Sequence, residues 1–158
     1  MGGAARSGFA PREVFEQILD YMPIATFDLV IEHGDRGVVF VRRRIAPYKD
    51  VWALPGLRML KGEGIDDTLR RIARQEVGLE IDTTGKVILG QFVGRFRTER
   101  ARQDISTGYL VRARGDQEVR PNAAHFHAAR VAREPPGRMG AMYRFYWERY
   151  AALWEGRL

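Results

Sequence analysis

Apolar side chains recur along this chain at two periods, and the switches between them mark the elements. After Pro11, which suits a helical first turn, Val14, Ile18 and Leu19 fall at helical spacing, so Pro11 to Met22 reads as a short amphipathic helix. Ile24 to Glu32 (IATFDLVIE) is strand-like, His33-Gly34-Asp35-Arg36-Gly37 is a turn, and Val38 to Arg42 is a second strand, so the pair reads as a hairpin. Pro47 and Asp50 mark a loop before Trp52. A helix is predicted from Asp66 to Val77, with Asp66 or Asp67 as N-cap and Gly78 as its stop. Lys86 to Arg97 and Ser106 to Arg114 are strand candidates joined by an arginine-rich loop. Gly115-Asp116 turns the chain, and Pro121 to Val131 fits neither period. Pro135-Pro136-Gly137 breaks the pattern before a final predicted helix, Ala141 to Glu155. Strands and helices do not alternate one for one, which favours an α+β fold with a mixed sheet over a doubly wound one.

Composition narrows the class. A chain of 158 residues, 45% hydrophobic and 29% charged, suits one globular domain, 1–158, without repeats or linkers. The absence of cysteine excludes disulfides, thiolate metal sites and a cysteine nucleophile. No apolar run is long enough to span a bilayer, and the first fifteen residues lack the apolar core of a secretory signal. Gly2 could begin a myristoylation site, but Arg6 stands where serine or threonine is needed. The expectation is a cytoplasmic protein with no membrane partner. A net charge of +6, mostly from arginine, suits bidentate phosphate binding. No basic tail, helix-turn-helix pattern or aromatic RNA-binding motif points to nucleic acid.

The central helix carries the candidate chemistry. Leu69, Ile72, Ala73 and Val77 form one stripe, and Glu76 falls inside it, in the last turn, where the helix dipole disfavours negative charge. An acid there needs a partner, either a basic side chain or a metal ion. Arg71 lies off the stripe and can bind phosphate or pair with Glu63, which itself can cap locally or act in a site. Trp52 reads as a packing anchor. Asp28, inside an apolar strand, is a buried hydrogen-bonded acid or a ligand contact. The run Met142 to Trp147 reads as a helix face against the sheet or a dimer partner.

The stretch Trp52 to Leu79, WALPGLRMLKGEGIDDTLRRIARQEVGL, resembles the Nudix box, written G-x5-E-x7-R-E-U-x-E-E-x-G-U with U aliphatic. Aligned on Gly78, Glu63 takes the first acid, Arg71 the arginine and Glu76 the last acid. Leu57 replaces the leading glycine, and Ile72 and Gln75 replace two further acids. Box 52–79 is therefore degenerate, preceded by an N-terminal helical extension, 1–22. The resemblance implies an α/β/α sandwich, a Nudix fold with the mixed sheet between helices.

The chain is most similar to the GDP-mannose mannosyl hydrolase branch, over roughly Thr26 to Val131. The residues carrying this are Phe27-Asp28-Leu29, Arg43, Trp52 with Leu54-Pro55-Gly56, Arg58, Arg71-Ile72, Glu76-Val77-Gly78-Leu79, Gly90-Gln91-Phe92, Tyr109 and His125. The resemblance implies one Mg2+ or Mn2+ held by the Gly56 carbonyl, Glu76 and a later glutamine, whose position is Ala124 here. Asn122, His127 or water would complete the shell. It implies His125 as base, Arg58 and Arg71 stabilising the leaving diphosphate with Arg43 as a further clamp, Asp28 on nucleotide or sugar, and Tyr109 on the diphosphate. The implied partner is a nucleoside diphosphate sugar or another nucleoside diphosphate derivative, split at the glycosyl C–O bond by a homodimeric, divalent-metal-dependent enzyme. A binding domain without turnover and an ordinary Nudix pyrophosphatase are the alternatives. His125 and His127 would share a face if this segment is extended.

Overall fold

A computed structural model of the chain describes residues 8–46 and 48–156. Pro47 and the signal and acylation readings for residues 1–7 lie outside the described residues. The elements are α1 (Arg12–Tyr21), β1 (Ile24–Glu32), a 3-10 turn (Gly34–Arg36), β2 (Val38–Arg43), β3 (Trp52–Ala53), β4 (Gly56–Arg58), α2 (Ile65–Val77), β5 (Ile81–Arg95), β6 (Gln103–Ala113), β7 (Phe126–Ala132) and α3 (Ala141–Glu155).

The seven strands form one mixed sheet in the order β3-β2-β1-β6-β5, with β4 added to β1 and β7 to β2. Its one parallel pair runs the length of β1, from Ile24 opposite Asp104 to Glu32 opposite Arg112. β1 is buried along almost its whole length because helices cover both faces, as in an α+β sandwich. Ser106 and Gly108 on β6 face α3. Ser106 bonds Tyr146, and a Cβ on Gly108 would stand 2.4 Å from that tyrosine ring. α2 contributes Leu69, Ile72, Ala73 and Val77 to the core, as its stripe predicts.

The predicted hairpin is splayed. β1 and β2 meet at Glu32 and Val38, and then β2 turns to β3 and β7 while β4 takes the edge of β1. A short turn brings two strands together only where no other segment competes for their edges. The helix cap also differs. Gly64, not Asp66 or Asp67, is the N-cap of α2, and Asp67 reaches back to accept from its N–H at 2.9 Å. The stop is as predicted, with Gly78 left-handed at φ 67°. β5 begins five residues before the predicted start, held by pairing to the end of β6 across two irregularities. The undecided segment after Pro121 resolves into a turn and β7.

Candidate active site

One cleft of about 660 Å3 collects the ends of most elements. β1 supplies Asp28, β2 Arg43, β4 Gly56 and Arg58, α2 Glu76, and the turn before β7 His125. These six are among the residues singled out in the sequence. Arg71 and Tyr109 do not line it. Arg71 donates to Glu63 at 2.7 and 2.9 Å and to the Arg58 carbonyl at 2.7 Å, so it braces the box loop and resolves the open reading of the Glu63 pair. That pairing also holds the Glu63 carboxyl below its ordinary range. Tyr109 is buried against Phe27 with ring centres 5.9 Å apart, and strand alternation turns it away from the face of Ser106 and Gly108.

Glu76 is 1% exposed, and its partner is an imidazole rather than an arginine. His125 Nδ1 lies 2.8 Å from Oε1 and 3.0 Å from Oε2. The carboxylate holds the histidine pKa above its ordinary value, against burial and the positive charge of Arg43. The turn bearing His125 is tied to α2 by backbone bonds, from Asn122 N to Glu76 O at 2.8 Å and from Arg120 N to Val77 O at 2.9 Å. His125 ends this turn instead of lying in the strand, so it and His127 diverge. His127 Nε2 faces Asp50 at 3.0 Å.

Asp28 forms the second buried centre. Ser106 Oγ donates to its Oδ2 at 2.5 Å, and the Tyr146 hydroxyl, 2.8 Å from Ser106, donates in turn. Burial pushes the Asp28 carboxyl up to about 7, despite Ser106 and Arg43. Gly56 is required here because a Cβ would fall 2.1 Å from Asp28 Oδ1.

The cationic wall includes a residue not singled out in the sequence. Arg102 lines the cleft and bonds Asp104 at 2.6 Å. The available signal was the period-2 polar stripe Asp104-x-Ser106-x-Gly108, which pairs in register with the face of β1 that bears Asp28. Arg58 has no carboxylate partner among the described residues. Its guanidinium lies 4.7 Å from the Phe9 ring centre and 4.0 Å from that of Phe15, and burial with the neighbouring Arg102 and Arg71 charges lowers its pKa. A cluster of this kind favours an anion.

For a hard divalent ion the lining offers the carboxylates of Asp28, Glu76, Glu99 and Asp104, besides Asn122 and Gly56. Both Glu76 oxygens already meet His125, Asp28 is held by Ser106, and Asp104 and Glu99 are paired with Arg102. No three His, Asp or Glu side chains converge as a metal-binding group among the described residues. These residues do not fit a resident ion held by the protein alone.

The NUDIX domain family model matches residues 22–145. The low-salt glycan biosynthesis protein Agl8 of Haloferax volcanii is 33% identical over 103 residues, 65% of this chain. The match spans 64% of that relative, less than two thirds of its length. The MutT NUDIX hydrolase of Burkholderia pseudomallei superposes with a TM-score of 0.70 at 18% identity, over 81% of this chain and 98% of that one. The NUDIX domain of Shewanella oneidensis NrtR, in complex with ADP ribose, gives 0.66 at 15% identity, over 91% and 99%. At such identities the likeness is one of fold. No helix among the described residues is long and apolar enough to cross a membrane.

Proposed function

The chain belongs to the Nudix family, and from that premise we propose that it hydrolyses nucleoside diphosphate sugars of the GDP-mannose type at the glycosyl C–O bond. The observation that carries this reading is a single cleft joining an imidazole to the guanidinium groups of Arg43, Arg58 and Arg102, while Ile72 and Gln75 replace box acids. Phosphorus attack needs metals to activate water and neutralise the phosphoryl group, and an aliphatic side chain and an amide supply neither. Attack at the anomeric carbon makes smaller demands. Water adds to that carbon as His125 takes its proton, and the bond from carbon to the diphosphate oxygen breaks. The diphosphate leaves with the bonding pair, held by the arginines. Asp28 contacts the nucleotide or sugar.

Nudix hydrolases generally use a divalent metal ion. Mg2+ or Mn2+ would reach this cleft as part of the diphosphate substrate, with the phosphate oxygens in its shell. The Haloferax relative, named for glycan biosynthesis, supports a sugar nucleotide as the substrate class. Binding without turnover is the second reading, supported by the poor metal-donor set and by the ADP-ribose complex of the Shewanella domain.

Incubation with GDP-mannose, GDP-glucose and UDP-sugars in Mg2+ separates these readings by product. Free sugar with nucleoside diphosphate is the expected outcome. Sugar phosphate with nucleoside monophosphate would mean P–O cleavage, and measurable binding without products would mean a binding domain. His125→Ala should reduce turnover by roughly 100-fold or more, the usual contribution of a general base, while binding persists.

A further inference from the structure

We propose that Glu76 is a positioning residue for His125 rather than the ligand of a resident metal, so that this cleft works through a carboxylate–imidazole pair. The inference deepens the hydrolase reading above and, for its kinetic part, rests on it.

The geometry builds from the helix outward. Glu76 is enclosed in the apolar stripe of α2, where an unpartnered carboxylate would be strongly disfavoured. Its nearest partner is His125, whose Nδ1 meets both oxygens, while the Asn122 amide donates to Oε1 at a longer 3.5 Å. The two groups are held by one local framework. The backbone N–H of Asn122 binds the carbonyl of Glu76 itself, and the carbonyl of Asn122 accepts from the N–H groups of His125 and Phe126 at 3.0 and 2.9 Å. Gly78 lets this turn approach, because a Cβ there would stand 3.2 Å from Arg120 Cβ. These bonds fix the backbone of His125 beside the end of α2, within reach of the carboxylate.

The surroundings favour this role over metal binding. Ile72 is fully buried in the core and Gln75 bonds Arg71 at 3.3 Å, so neither adds a carboxylate beside Glu76. The cationic work falls to Arg43, Arg58 and Arg102. A carboxylate at Nδ1 fixes the proton there and leaves the Nε2 lone pair for the cleft. In the hydrolytic step the attacking water gives its proton to Nε2. Its oxygen forms the new bond to the anomeric carbon, and the diphosphate departs with the electrons of the broken bond. Glu76 touches neither substrate nor water and acts through the ring.

Three measurements test this on the full chain and on Glu76→Gln, with Glu76→Asp as a second variant should the amide fold poorly. Nitrogen NMR of the imidazoles should show His125 with its proton on Nδ1 in the wild type, and that preference should be lost in Glu76→Gln. Titration of the ligand-free protein with Mn2+, followed by water proton relaxation, should give the same weak response for wild type and variant. With a nucleotide sugar, Glu76→Gln should lower kcat by roughly 100-fold with little change in KM, and excess Mg2+ should not restore it. A Mn2+ site present in the wild type and absent from Glu76→Gln would overturn the proposal, as would rescue by Mg2+. Total lack of turnover in the wild type would sink the hydrolase reading alone, because the NMR and Mn2+ results still decide the role of Glu76.

Discussion

Asp28 has its Oδ2 on Ser106 and its Oδ1 in the space a side chain at position 56 would need, so its carboxyl has little room to be solvated. The consequence is measurable as stability against pH. Burial lifts the folded-state pKa to about 7, well above the ordinary 3.8, so between those values the folded chain holds a proton that the unfolded chain has released. Stability should therefore fall as pH rises through this window and level off above it, by up to roughly 4 kcal/mol. Asp28→Asn keeps the shape without the ionisation. Urea unfolding at intervals from pH 4 to pH 9 should show the wild type losing stability relative to Asp28→Asn across the window. Parallel curves would mean that Asp28 stays ionised throughout.

At the scale of elements, α1 is held by ring and ion-pair contacts rather than by a buried face, since none of its residues is buried. Phe9 and Phe15 lie over the Arg58 guanidinium, and Asp20 accepts from Arg100 Nε at 2.7 Å. Rings stacked on the faces of a guanidinium leave its in-plane N–H donors free for phosphate. Phe15→Leu should thus leave folding nearly unchanged and weaken GDP binding several-fold, in line with about 1 kcal/mol for a partly desolvated cation–π contact. Calorimetry with GDP decides it, and unchanged affinity would detach α1 from the site.

The legibility of elements follows the same division. α3 and the end of α2 were readable because helix periodicity and glycine stops are local. The splay of β1 from β2 was not, because β4 and β6 compete for the edges of β1 from distant positions. β7, FHAARVA, gave no clear period because its exposure does not alternate cleanly. Asp28, Arg43, Gly56, Arg58, Glu76 and His125 could be named before the cleft was seen, since the box and its flanking motifs keep their spacing. Arg102 could not, because the loop before it holds several arginines and only pairing to β1 selects one. The partner of Glu76 was equally hidden, lying 49 residues away.

Taken whole, the molecule carries a net charge of +6 and concentrates Arg43, Arg58 and Arg102 around one opening. A diphosphate approaching it is drawn both by the general field and by the cleft, and salt separates the two contributions. The Debye length shrinks from about 10 Å at 0.1 M to about 3 Å at 1 M, so attraction over longer distances is lost while contacts inside the cleft largely survive. For hydrolysis of a nucleoside diphosphate sugar, kcat/KM should fall several-fold as NaCl rises from about 0.05 M to about 0.5 M, with kcat little altered. Arg58→Gln should lower kcat as well, because the charge developing on the leaving diphosphate loses a donor at contact distance. Arg112→Gln, at a guanidinium 3.6 Å from Glu32 and exposed to solvent, should change neither parameter much. If Arg58→Gln and Arg112→Gln behave alike, the positive charge acts only as a diffuse field, and the arginines of the cleft have no part in holding the leaving group.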